Sequence, residues 1–243
     1  MNGERRAALV TGAASGIGSA IAVRLELDGW DVLTVDVRDG VGLCTDLTTR
    51  EGNRAAVAVA YERFHRLDAV IANAGFQHVA PIEEFPEDRW DAVLSLLLTS
   101  PFLLARYAWP HLKASGAGRF VAIASVHGLV ASPYKAAYVA AKHGVVGLVK
   151  TLALEGAEHG ISATAVCPAY VRTPLVESQI ADQAIAHGLP ADRVLDEVIL
   201  APQAVKRLIE PEEVAATVAF LLGPDGRAFT GAPVIMDQGW TAR

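Results

Sequence analysis

Tyr138 and Lys142 stand four residues apart in a run of helix-forming residues, with Ser125 thirteen residues upstream. Side chains at that spacing leave a helix on one face. An ammonium group beside a phenol favours the phenolate and draws the phenol pKa down from about 10, towards the range of a general base. Ser125 closes an apolar run and is placed to hydrogen-bond a substrate oxygen. A tyrosine–lysine pair alone is an ordinary helix-surface pattern. With the serine it suits an alcohol–carbonyl interconversion, in which Tyr138 takes the alcohol proton while a cofactor takes the hydride.

The cofactor is legible at the other end of the chain. Gly12, Ser15, Gly16, Ile17 and Gly18 fall between an apolar run and an amphipathic one. Glycines at such a junction permit a tight turn and close approach of a pyrophosphate, and the helix N-terminus offers aligned N–H groups. Asp36 ends the second apolar run, where a carboxylate accepts hydrogen bonds from an adenosine ribose and repels a phosphate on it. NAD is therefore expected over NADP, with Arg38 the nearby residue that argues the other way. Asp46 and Leu47 follow a third short run and reach towards the adenine. Asn73, Ala74 and Gly75 end a fourth run with small residues beside the cofactor.

The elements that must position these groups alternate strand and helix from end to end, the pattern of stacked βαβ units. The expected class is α/β: one Rossmann-type domain over 1–243, a doubly wound parallel sheet with helices on both faces. Strands are expected at 7–11, 31–36, 68–72, 119–125, 161–167 and 233–236, and helices at 16–27, 134–158 and 211–222. The four residues 37–40 are too few for a crossover helix, so the second helix should be missing and 41–45 should form a short edge strand. The next helix starts at Thr48 with Glu51 as a capping box. A long helix over 86–113 must tolerate Pro101. Residues 173–209 carry no strand pattern and read as a helical lid at the ligand end of the sheet.

The chain has 243 residues, of which 52% are hydrophobic and only 7% aromatic, matching an aliphatic core between sheet and helices. A formal net charge of −6 disfavours nucleic acid as a partner. Cys44 and Cys167 lack disulfide-framework or metal-ligand spacing, so no metal is expected. The opening residues run straight into a strand, and the longest uncharged apolar stretch, 92–105, is short for a bilayer. No membrane partner and a cytoplasmic location are expected.

The glycine turn, Asn73-Ala74-Gly75, Ser125, Tyr138, Lys142 and the stretch 168–174 together resemble the short-chain dehydrogenase/reductase family over essentially the whole chain. That resemblance implies that Ser125, Tyr138 and Lys142 are catalytic. It also implies that Lys142 holds the nicotinamide ribose, and that Pro168, Val171 and Thr173 meet the nicotinamide half of NAD. Four stretches, 73–80, 125–132, 135–146 and 173–180, look most like the branch of bacterial D-3-hydroxybutyrate dehydrogenases. By that likeness Gln77, His127, Lys135 and Gln179 bind a substrate carboxylate, Tyr170 and Trp240 come near the pocket, and the chain forms a homotetramer. The residue types agree, since a lysine, an imidazole and two amides suit a small carboxylate.

The chain departs from the family at Leu97, where many members carry an asparagine that helps hold a relay water. This predicts a slower enzyme. Other readings remain open at this point: a dehydrogenase for another small hydroxy acid or cyclic alcohol, and an NAD-binding scaffold with impaired catalysis.

Overall fold

Strand β1 (Ala7–Thr11) is apolar at four of its five positions and buried along its whole length, as a strand covered on both faces must be. The computed structural model describes residues 5–242, the side chain of Gln179 excepted. Elements follow in the order α1 (Gly16–Leu27), β2 (Asp31–Asp36), β3 (Leu43–Cys44), α2 (Arg50–Phe64) and β4 (Ala69–Ala72). Then come α3 (Glu87–Leu94), a π turn (Ser95–Thr99), α4 (Ser100–Ser115), β5 (Arg119–Ile123), α5 (Ala136–Gly156) and β6 (Ser162–Pro168). The chain closes with α6 (Pro174–His187), α7 (Ala191–Val194), a second π turn (Leu195–Ile199), α8 (Pro211–Leu222) and β7 (Pro233–Met236).

The seven strands form one parallel sheet in the order β3-β2-β1-β4-β5-β6-β7. On one face α2, α4 and α5 bury Val57, Leu104, Leu112, Val145 and Val149 against the strands. On the other, α1 and α8 bury Ile21, Leu25, Val214 and Val218. Strand order reverses between β1 and β4, and in such sheets ligands bind beyond the carboxyl ends of the strands at that crevice. The expected Rossmann-type architecture is observed, including the missing helix after β2, where β3 pairs with β2 as a two-residue edge.

Several boundaries differ from the sequence expectation, each for a local reason. The cap of α2 is Thr49, which accepts the Gly52 N–H at 3.0 Å. Thr48 instead bonds the Asp46 carboxylate through its N–H and hydroxyl. Helix α5 begins at Ala136, because Tyr134 sits at φ 67, a left-handed conformation that a helix cannot include. Pro101 causes no break. Lacking an N–H, it cannot close an α-turn onto Leu97, and the chain passes through a π turn in which the Ser100 N–H reaches the Ser95 carbonyl. The helical run therefore extends over Glu87–Ser115, longer than 92–105. With Ala136–His159 it is one of two helices among the described residues long and apolar enough by composition to cross a bilayer. Leu104 and Leu112 of the first and Val145 and Val149 of the second pack on the sheet.

The segment after β6 forms its own small cluster, with Val176, Val194, Ile199, Leu200 and Leu208 packed around Tyr170. It stands over the carboxyl ends of the strands, where the cleft opens.

Candidate active site

A cleft of about 560 Å³ runs from Asp36 to Lys135 across the carboxyl ends of the strands. Its floor at one end is the glycine turn. Gly12 has φ 66, and a Cβ there would stand 2.7 Å from the Ala74 backbone. Gly18 does not line the cleft; a Cβ on it would meet the Gly12 carbonyl at 2.2 Å, so its bareness lets α1 pack against the turn. Asn73 clamps this turn to β4, donating to the carbonyls of Thr11 and Gly12 at 2.8 and 3.2 Å. Thr11, which the sequence reading passed over, completes the clamp by accepting the N–H groups of Asn73 and Ala74 at 2.9 and 3.1 Å.

These features fit a dinucleotide. Ser15 precedes α1 without capping it, leaving the first N–H groups of that helix open to an anion. Gly16 and Ile17 line the cleft beside it. Asp36 accepts the N–H groups of Ala14 and Arg38, both at 3.1 Å, and pairs with the Arg38 guanidinium at 3.1 Å. Burial pushes its carboxyl pKa up, but these hydrogen bonds outweigh burial and hold it below the ordinary value. Arg38 also donates to Ser15 at 2.9 Å, so it lies over the cleft mouth beside the carboxylate. Asp46 and Leu47 line the same end, although Asp46 already serves Thr48. Ala74 and Gly75 line the cleft, and so do Pro168, Val171 and Thr173, with the Pro168 carbonyl 3.5 Å from the Ser125 Oγ. Thr173 caps α6 by accepting the Val176 N–H.

At the far end Ser125, Tyr138 and Lys142 converge. Ser125 accepts the His127 N–H at 3.1 Å, with its hydroxyl beside Tyr138. Lys142 donates to the Ile123 carbonyl at 2.7 Å, with its nitrogen 5.5 Å from the Tyr138 ring centre. The phenol does not follow the sequence expectation: burial dominates and pushes it up to about 12 in the protein alone, the nearby Ser125 hydroxyl only partly opposing this. The same burial pulls Lys142 down to about 8.

Beyond the tyrosine the cleft becomes polar. Lys135 is 2% exposed, donates to the Tyr170 hydroxyl at 2.9 Å, and is pulled by burial to about 8. His127, 4% exposed, is held neutral: burial first, then Lys135 and His143, bring it down to about 3. Gln77 lines the cleft with its Nε2 buried and unpartnered. Gln179 lies within α6, and its side chain falls outside the described part of the structure. Trp240 does not line the cleft; it stacks on Tyr170 at 5.9 Å and meets the His127 ring edge-on at 5.4 Å, backing the wall. Leu97, 2% exposed, lines the cleft beside Gly75 and packs with Ala137 and Ala141 next to Tyr138. Phe76 and Ile123 also line it, two apolar contributions without a motif to announce them.

Residues 6–184 match the short chain dehydrogenase family. The chain is 42% identical to the "D-beta-hydroxybutyrate dehydrogenase" of Rhizobium meliloti (strain 1021), covering 98% of this chain and 99% of that one. It is 39% identical to the protein of the same name from Cupriavidus necator, with 98% of each covered. Among solved structures, ligand-free aldohexose dehydrogenase of Thermoplasma acidophilum superposes with a TM-score of 0.89 at 28% identity, covering 99% of this chain and 95% of that one. The chain thus belongs to the short-chain dehydrogenase/reductase family of oxidoreductases.

Proposed function

We propose that this protein is an NAD-dependent dehydrogenase that interconverts (R)-3-hydroxybutyrate and acetoacetate. The observation that carries the reading is the buried, unpartnered Gln77 amide in one cleft with buried Lys135 and neutral His127, next to Tyr138. A buried donor without a partner costs about 1–3 kcal/mol. A substrate carboxylate would accept from Gln77 and from the lysine, relieving that cost and offsetting the desolvation of Lys135. The names of the relatives support the same substrate.

NAD, when bound, takes the hydride from the carbinol carbon. The remaining work falls to the chain. The glycine turn and the uncapped start of α1 receive the pyrophosphate, and the Asp36 carboxylate receives the adenosine ribose diol. Asp36 favours NAD, and Arg38, already paired with it, is held from acting as a free phosphate clamp. Ser125 orients the substrate oxygen. Tyr138 exchanges the proton with that oxygen, and Lys142, fixed by the Ile123 carbonyl, supplies positive charge below the ring. A further positive charge, which the oxidised nicotinamide would supply when bound, must lower the phenol pKa from its value in the protein alone before Tyr138 can act as a base. The segment from Thr173 to Ile209 acts as the lid, and the working form is a cytoplasmic homotetramer, testable by light scattering.

The deciding experiment is NAD reduction assayed over (R)- and (S)-3-hydroxybutyrate, other linear and cyclic hydroxy acids, and neutral alcohols, with NADP in parallel. The (R)-isomer with NAD should give the highest kcat/KM. Preference for neutral alcohols removes the carboxylate assignment; NAD binding without turnover on any alcohol leaves a scaffold.

A further inference from the structure

The proton taken by Tyr138 must leave the protein once per turnover, and the surroundings of the phenol constrain its path. Towards α3 and the first π turn, Tyr138 joins a cluster with buried Val93, Leu97, Ala137 and Ala141 and with half-buried Phe76, Trp90 and Leu94. The buried side chains neither donate nor accept a hydrogen bond, and the Trp90 indole N–H can donate but cannot accept a proton. Below the ring, Lys142 is anchored on the Ile123 carbonyl, and an ammonium group has no lone pair to accept a proton.

On the third side hydrogen-bonding groups lead outwards. The Tyr138 and Ser125 hydroxyls are neighbours on the cleft wall, without a direct hydrogen bond in the protein alone. The Ser125 Oγ stands 3.4 Å from His127 Nδ1, and His127 Nε2 stands 2.9 Å from the Ser132 Oγ. The first of these contacts is loose, as catalytic hydrogen bonds often are before substrate binds. Ser125 and His127 are buried, whereas Ser132 is partly exposed between the exposed residues Ala131 and Pro133. Each of these side chains both gives and accepts a hydrogen bond when the imidazole is neutral.

We propose that Ser125, His127 and Ser132 form the proton exit of this enzyme, with Ser132 as its outer end. The proposal rests on Tyr138 being the group that takes the alcohol proton. In the oxidative direction the hydride leaves the carbinol carbon for the oxidised nicotinamide as the alcohol O–H proton reaches Tyr138. The Tyr138 proton then passes to Ser125 as the serine's own proton moves to His127 Nδ1. The Nε2 proton goes to Ser132, whose proton goes to water. The phenolate is regenerated and one proton is released per NAD reduced. The imidazole is left protonated on Nδ1. It returns to its first tautomer when product leaves and water refills the cleft that Ser125 and His127 line. Ser132 is a positioning and relay residue; it touches neither the substrate nor the cofactor site.

Ser132→Ala tests this, assayed with NAD and the alcohol of the panel above that is oxidised best. The expected result is a kcat lower by about tenfold or more, with KM nearly unchanged, a larger solvent deuterium isotope effect, and recovery as imidazole buffer is raised from millimolar to near molar. Ser132→Thr, which keeps the hydroxyl, should behave as the unaltered protein. A kcat equal to that of the unaltered protein overturns the proposal, and so does a lower kcat without an isotope effect or buffer recovery. Tyr138→Phe run alongside separates the two readings: full activity there removes the acid–base assignment itself, whereas a silent Ser132→Ala with an inactive Tyr138→Phe removes only the exit.

Discussion

Lys135 shows what burial does to a single charge, and the effect is measurable. Desolvation brings its ammonium down to about 8, so the positive charge is complete below that pH and lost above it. The inhibition constant of a small carboxylate such as acetate should therefore hold steady to about pH 8 and then weaken, approaching tenfold per pH unit. Lys135→Met should weaken inhibition at pH 7 and remove the slope. His127 adds no second limb near neutrality, being held neutral down to about 3. At this scale the residue types were legible and their surroundings were not. The spacing of Tyr138 and Lys142 announced the pair, but the direction of the phenol shift depended on how deeply the fold buries it. Ser132 ends one of the stretches that carry the resemblance, but its contact with His127 was not legible there, because it exists only through the path of the loop after β5.

Among the elements, α2 and the long helical run over Glu87–Ser115 show where local rules suffice. Thr49→Ala should cost about 1 kcal/mol, the worth of an N-cap, seen as a lower midpoint in urea unfolding. Thr48→Ala should cost less, since its hydroxyl serves the Asp46 carboxylate and caps nothing. The sequence placed the cap one residue early because both positions are threonine. Pro101 signalled an irregular helix, but whether the backbone kinks or takes in a π turn is decided by the packing of Leu97 against Gly75 and α5. Leu97→Asn would put a hydrogen-bonding side chain beside Tyr138. It should raise turnover while costing about 1–3 kcal/mol of stability for a buried polar group; unchanged turnover would count against the slow-enzyme expectation. In that background Ser132→Ala should do little harm, the proton having a second way out. Tyr134 was placed inside α5 because nothing in a tyrosine announces a left-handed backbone; the fold imposes it, with the Tyr134 carbonyl accepting the Ala80 N–H at 3.0 Å.

For the whole molecule, strand periodicity and turn residues made the parallel sheet legible, and the four-residue gap after β2 announced the missing helix. The segment over the cleft was legible as helical but not as two helices with a π turn, because its small core around Tyr170 is assembled from residues far apart in sequence. If it closes, hydrogen exchange in Pro174–His187 and Leu195–Ile199 should slow when NAD and substrate are both present; unchanged exchange there would refute closure. The missing helix has a further effect, on self-assembly. It leaves β3, two residues long, as one margin of the sheet, with too few free backbone groups to template a strand from another molecule. The opposite margin, β7, is four residues long and exposes Ile235. Edge-to-edge growth into a fibre needs two receptive margins on every molecule, and β3 offers too little backbone to serve as one of them.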